Sequence, residues 1–491
     1  MTNSGVSTRL PPGDALWLYL EKPEMPLHIG SVFIFDGPIS WEDLAAYIEA
    51  KLPLIPRYRQ RVVFPPLLAG HPTWEFDPEF DLRNHVLQAH LERGTLEALE
   101  TKAGQIYSQI MRRDRPLWDL TVVDGLEGGR SALIARVHHC MVDGVAGVAL
   151  LSVLLDSSAA QAQPSPPKEP FHPPPLPAAP QSLLEAVVGS YAEMLNRILS
   201  VEKAALNLAE GFVSDFSSGA VSQLTQLVPE LFTPVQPLPF NVKCLGPRKV
   251  AWAEFSLDDF NAVRQPSGAK VNDVAMLVLA GAIRRYAQLH GLPANGRLLR
   301  LMTPVNLRRD THSPGLGNMI SMMPVNIPLD THDPVTLLKT IHEKTGALKQ
   351  AHLAELIVAI TTWLGIAPAS FHALAWGLLG NQLPMPLFNM VCTNVAGPPV
   401  PLYALGRKML TYYPYVPVGN YMGVCCAITS YNGTLYFGLT GDSASAPDLS
   451  RIRDFLYEAF AELQAAVGLA PPKRLTKPMR PGRKQRAVAG S

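Results

Sequence analysis

Charge is scarce in this chain. Only 17% of its 491 residues are Asp, Glu, Lys or Arg, against about 25% in an average soluble domain. The formal net charge is +1, which argues against a body built to grip a polyanion, so nucleic acid is not an expected partner. Cysteine is sparse too. Cys140, Cys244, Cys392, Cys425 and Cys426 form no CxxC pair and no Cys/His spacing of the structural zinc kind, so neither a disulfide scaffold nor a zinc module is expected, and reduced thiols point to the cytoplasm. The N-terminal residues hold no apolar stretch behind a basic start, so no secretory signal is expected. Nor does any fixed period repeat along the chain.

Apolar residues and proline are abundant instead. Hydrophobic residues make up 47% of the chain, and its length favours two domains of about 200 residues each. Residues 356–406 contain no Asp, Glu, Lys or Arg, which raises the question of a membrane span, for which about 20 apolar residues suffice. Pro368, Ser370 and His372 interrupt it. The stretch therefore reads as two short helices meeting at Pro368, serving either as buried core or as a lipid-facing or lipid-enclosing surface. Between Pro164 and Pro180 nine of seventeen residues are proline, the composition of an extended linker. Residues 182–232 then show apolar positions at helical spacing, a bridging helical segment. The last 21 residues hold seven Lys or Arg and no acid, so the remaining 470 carry 35 bases against 41 acids. The near-zero charge is a cancellation between a basic tail and a mildly acidic body. Such a tail suits an anionic membrane surface, or is a solvated end with no partner.

Periodicity predicts strands at 29–35, 117–125 and 131–137, and helices at 41–52 (capped by Ser40), 94–111 and 144–155. Further along come a strand at 248–257, a helix at 272–291, strands at 297–307 and 318–328, and a helix at 335–350. A strand near 387–394, a hairpin turning at Asn432-Gly433 and a helix over 448–467 complete the second half. Both halves mix strands and helices, so the fold class is α/β with two mixed-sheet domains. The expected division is 1–160, a linker and bridging helices at 161–240, a second domain at 241–470 and the basic tail at 471–491.

The sharpest local feature is His138-His139-Cys140-Met141-Val142-Asp143-Gly144, where a strand ends and a helix begins. Successive strand residues face opposite ways, so one imidazole can be packed while its neighbour faces a cleft. A neutral imidazole titrating near ~6.5 can take a proton from a hydroxyl, which makes His139 a general-base candidate. Asp143 stands at the start of the helix, where a carboxylate is favoured or can hold the turn, and Gly144 permits a close backbone approach. Three rival readings remain open on these residues alone: one core and one surface histidine, a metal site shared by His139 and Asp143, and Cys140 as an acylated nucleophile. Asn272, at the start of a predicted helix, is either a cap or a donor to a developing oxyanion.

HHCMVDG resembles the HHxxxDG signature of the bacterial wax ester synthase/diacylglycerol acyltransferase family, a branch of the coenzyme-A-dependent acyltransferases. The flanking segments agree in order: PPGDALWLYLEKPEMPLHIG at 11–30, Pro116-Leu117-Trp118, Asn272-Asp273, PVNLR at 304–308, LGNMIS at 316–321, and TNVAGP at 393–398 with Ala396 where proline is more usual. The resemblance implies two acyltransferase-type domains with a tunnel between them. It implies acyl-CoA as a substrate with no further cofactor and no metal, and diacylglycerol or a long-chain alcohol as acceptor. His139 is then the base, His138, Asp143, Gly144 and Asn272 complete the catalytic set, and Asp273 contacts substrate. It also implies peripheral association with the inner membrane face or lipid droplets. Two other readings stay in view: a superfamily acyltransferase serving a secondary-metabolite or carrier-bound alcohol, and a non-catalytic lipid-binding protein.

Overall fold

The computed structural model describes residues 9–65, 71–142, 144–160, 235–306, 320–350 and 388–469. The proline-rich linker and the helix expected over 182–232 lie outside the described residues, as do the two apolar helices around Pro368, the basic tail and Asp143.

Chain order builds two layers of mixed sheet. The first half runs α1 (Pro12–Leu20), β1 (His28–Phe35), α2 (Trp41–Lys51), β2 (Gln60–Val63), β3 (Thr73–Phe76), β4 (Val86–His90), α3 (Leu96–Tyr107), β5 (Trp118–Leu126), β6 (Arg130–His138) and α4 (Gly144–Leu154). The second runs β7 (Arg248–Ser256), α5 (Leu257–Arg264), α6 (Val271–Leu289), β8 (Leu298–Asn306), β9 (Ile320–Pro328), α7 (Pro334–Gln350), β10 (Met390–Val395), β11 (Tyr403–Ala404), β12 (Arg407–Tyr415), β13 (Val424–Tyr431), β14 (Thr434–Asp442) and α8 (Leu449–Ala466). Ser40 caps α2 as expected, its hydroxyl accepting from the Asp43 amide at 3.1 Å. Asn432 and Gly433 take φ of 46° and 81°, the left-handed pair that a two-residue hairpin turn requires.

One six-stranded sheet has the order β11-β12-β1-β6-β5-β4, the other β7-β14-β13-β10-β8-β9. In the second, β10 lies parallel to both β13 and β8. Its core is organised by α6, a helix buried on nearly all sides from Asp273 to Ala287. That burial explains why its central run, 274–283, is apolar all round rather than striped. It packs on α8, whose Leu449, Ile452, Phe455, Leu456, Phe460 and Leu463 form one buried face at helical spacing.

The division expected at residue 241 is crossed in space. β11 and β12, from the second half of the chain, complete the first sheet by pairing β12 antiparallel to β1. Met409, Tyr412, Tyr413 and Tyr415 are accordingly buried in the first core. The crossing is reinforced at β7, where Trp252 stacks on Tyr413 with ring centroids 4.3 Å apart. Arg248, 5% exposed, donates to the Asp442 carboxylate at 3.2 Å, to the Val418 carbonyl and to the Glu24 carbonyl of the first half. The two sheets are thus one covalently interlaced body. Among the described residues no helix is long and apolar enough to cross a membrane.

Candidate active site

β6 ends at His138, and three backbone hydrogen bonds set how the chain leaves it. The His138 amide donates to Leu117 at 2.9 Å, the His139 amide to Leu27 at 3.0 Å, and the Met141 amide to His138 at 2.9 Å. The alternation expected of a strand end is realised: His138 is 0% exposed, whereas His139 is half-buried.

His138 is an internal brace. Its Nδ1 accepts from the Cys140 amide at 3.1 Å, so the neutral ring carries its proton on Nε2. That nitrogen lies 3.3 Å from Glu21 Oε1. The Glu21 side chain, wholly buried at the end of α1, accepts from the Leu27 amide at 3.0 Å and pairs through Oε2 with Arg113 at 3.1 Å. Burial pushes its carboxyl up, but His138, the Leu27 amide and Arg113 together hold it below its ordinary value. Since Leu27 also receives the His139 amide, Glu21 braces both histidines.

The His139 ring lies flat against Trp17 of α1, with centroids 3.8 Å apart and planes 10° from parallel. The stack fixes the imidazole plane. Cys140 has the opposite character: burial raises its thiol well above the ordinary value, which removes the thiolate that a nucleophile needs. All five cysteines are buried and unpaired. Among the described residues no group of three or more His, Cys, Asp or Glu is placed to hold a metal ion. Gly144 is the first residue of α4.

α4 packs against β10, the strand of the second sheet that carries Asn394. The Asn394 amide donates to Asn272 Oδ1 at 3.3 Å, and Asn272 is the second residue of α6. Asn272 is therefore not the helix cap; the cap is made by Lys270 and Asp273. Asp273, expected to contact substrate, has a different occupation. It is 2% exposed, and its carboxylate accepts from the Lys270 amide at 2.9 Å and from Thr345 at 3.0 Å, and meets His342 Nδ1 at 2.8 Å. These contacts anchor the start of α6 to α7.

Trp17, Glu21 and Asn394 were not singled out from the sequence. Trp17 and Asn394 stand inside recognisable segments, and Glu21 is an acid directly after an apolar helix, but only the tertiary contact distinguishes them.

The chain is similar to known proteins along most of its length. The wax ester synthase/diacylglycerol acyltransferase catalytic domain matches residues 10–275, and the C-terminal domain of the same family matches residues 316–464. A probable diacylglycerol O-acyltransferase of Mycobacterium tuberculosis is 29% identical over 480 residues, covering 93% of this chain and 99% of its own. The wax ester synthase/diacylglycerol acyltransferase of Marinobacter aquaeolei superposes with a TM-score of 0.68 at 25% identity, covering 94% of this chain and 100% of that one. The first condensation domain of the calcium-dependent antibiotic synthetase shares the fold, with a TM-score of 0.57 at 16% identity over 96% of this chain and 100% of that domain. The chain belongs to the wax ester synthase/diacylglycerol acyltransferase family.

Proposed function

We propose that this protein transfers a long-chain acyl group from acyl-CoA to the free hydroxyl of diacylglycerol, forming triacylglycerol, and to fatty alcohols, forming wax esters. The observation that carries the assignment of roles is the division between the two histidines. His138 is wholly buried, its Nδ1 taken by the Cys140 amide and its Nε2 facing Glu21 at 3.3 Å, while His139 stacks on Trp17 and is half-buried.

In this reading His139 takes the acceptor's hydroxyl proton as the oxygen attacks the thioester carbonyl. Collapse of the tetrahedral intermediate breaks the carbon–sulfur bond, the imidazolium returns its proton to the leaving sulfur, and free coenzyme A departs. Asn272 and the N–H groups at the start of α6 supply donors to the developing oxyanion, since a helix N-terminus favours negative charge. Asn394 orients the Asn272 amide by holding its oxygen, which turns the Nδ2 donors away from β10. Asp143 and Gly144 shape the turn after His139, and Asp273 acts by positioning α6. A tunnel between the domains would bring the two substrates to His139 from opposite sides. No cofactor beyond the acyl-CoA substrate is needed. A cytoplasmic protein attached peripherally to the inner membrane face or to lipid droplets fits water-insoluble acceptors.

Purified protein given palmitoyl-CoA and dioleoylglycerol is expected to release thiol, and His139→Ala to lower the rate by about 10³-fold with an unchanged melting curve. Undiminished turnover in that variant removes His139 as the base.

A further inference from the structure

One cation near α1 has no part in the chemistry above. Arg57 belongs to the short 3-10 turn Pro56–Arg59 ahead of β2, and its guanidinium lies over Trp74 of β3, 4.6 Å from the ring centroid. The stack fixes the plane of the guanidinium. Its Nη1 is buried and meets no acceptor among the described residues, an arrangement that is costly unless something else accepts from it.

The surroundings of Arg57 say what that acceptor is. Burial lowers its pKa to about 10, against the pull of the Asp14 carboxylate of α1. It therefore remains a cation at neutral pH. Asp14 precedes Trp17 by three residues on α1, so both point to one side of that helix, and Trp17 carries the His139 ring. The chain entering β3 is tied to one end of α1 by the Leu10 amide, which donates to the Pro72 carbonyl at 2.8 Å, and to the other by the Tyr19 hydroxyl, 3.2 Å from His71 Nδ1. Arg57 on Trp74 therefore lies beside the helix that supports the reacting imidazole. With one carboxylate already opposing its charge, the unfilled donor suits a neutral oxygen; a phosphate would bring surplus negative charge into a half-buried site beside Asp14. Diacylglycerol has two ester carbonyls next to its free hydroxyl, and a fatty alcohol has none.

We propose that Arg57 Nη1 donates a hydrogen bond to an ester carbonyl of diacylglycerol, which makes Arg57 a determinant of the preference for a glyceride over a simple alcohol. This rests on the acyl-transfer reading above. The test compares three acceptors with palmitoyl-CoA: dioleoylglycerol, hexadecanol, and the dioleyl diether of glycerol, which keeps the hydroxyl and both chains but lacks carbonyls. With the wild type, the diether should be poorer than the ester by about ten-fold or more in kcat/KM. In Arg57→Met the ester-to-hexadecanol ratio should fall by about the same factor and the ester-to-diether ratio should approach unity, with Arg57→Lys intermediate.

Unchanged ratios in a folded Arg57→Met overturn the proposal. So does a raised KM for palmitoyl-CoA with every acceptor alike, because that places a coenzyme A phosphate on Arg57. Should Arg57→Met fail to fold, equal use of ester and diether by the wild type overturns it without any variant. A wild type that acylates none of the three acceptors instead refutes the acyl-transfer reading itself, an outcome distinct from acylation without discrimination.

Discussion

Glu21 is the residue on which the geometry of the histidine pair turns. It touches no reacting atom in the proposed chemistry, yet it faces His138 directly and reaches His139 through the Leu27 peptide. Its carboxyl is held below the ordinary 4.5 despite burial, because His138, the Leu27 amide and Arg113 favour the charged form. The folded state then binds fewer protons than the unfolded one around that pH. Its ionisation contributes stability that is fully present above about pH 4.5 and is lost as pH falls through the lower folded value. Glu21→Gln keeps the size but leaves Arg113 without its countercharge, and should cost about 2–3 kcal/mol in denaturant melts at pH 7 while flattening the acid limb of stability. In steady-state kinetics kcat should drop with both KM values little changed, the signature of a residue that positions the base. A rise confined to one KM would show instead that Glu21 touches that substrate.

At the scale of elements, the contact of α3 with β7 joins the first half of the chain to the second, and it contains a carboxyl under strain. Gly104 of α3 approaches so closely that a Cβ there would lie 2.6 Å from the Arg248 carbonyl oxygen. One turn earlier, Glu100 accepts from the Trp252 amide at 3.0 Å, with Arg453 of α8 at 3.8 Å. Burial raises its carboxyl from 4.5 to about 7 against the pull of Arg453 and the Trp252 amide. The folded protein holds that proton more tightly than the unfolded chain, so the contribution to stability is present below pH 4.5 and falls as pH rises through about 7. Glu100→Gln preserves an acceptor for Trp252 and removes the titration. The variant should melt several degrees higher than the wild type at about pH 8, with the difference vanishing below about pH 4. Equal melting temperatures at both pH values would mean that Glu100 is solvated in the folded protein.

The whole molecule is held as one body by strands that change sheets. β12 belongs to the first sheet and β14 to the second, and where they pass, a Cβ on Gly438 would sit 1.8 Å from the Pro414 carbonyl oxygen. Backbone cannot yield there as a flexible side chain would. Gly438→Ala should therefore cost more than about 3 kcal/mol or abolish soluble expression, and calorimetry of the wild type should show the described halves melting in a single transition. Much of this body was legible in the sequence. The hairpin at Asn432-Gly433, the Ser40 cap, the helix α6 and the β6 strand ending in two histidines follow from local periodicity and turn chemistry. The short β2–β3 hairpin and the β12 strand did not, because β12 draws its partner from almost 400 residues earlier in the chain and nothing in its own residues names that edge. The same division runs through the site. Residue type and adjacency alone determined that a packed and a half-open imidazole would stand side by side at a strand end. Which carboxylate locks the first, which ring supports the second, that Asp273 spends its charge on the fold, and that Arg57 keeps an unfilled donor were decided only by tertiary structure, since each depends on contacts between segments far apart in the chain.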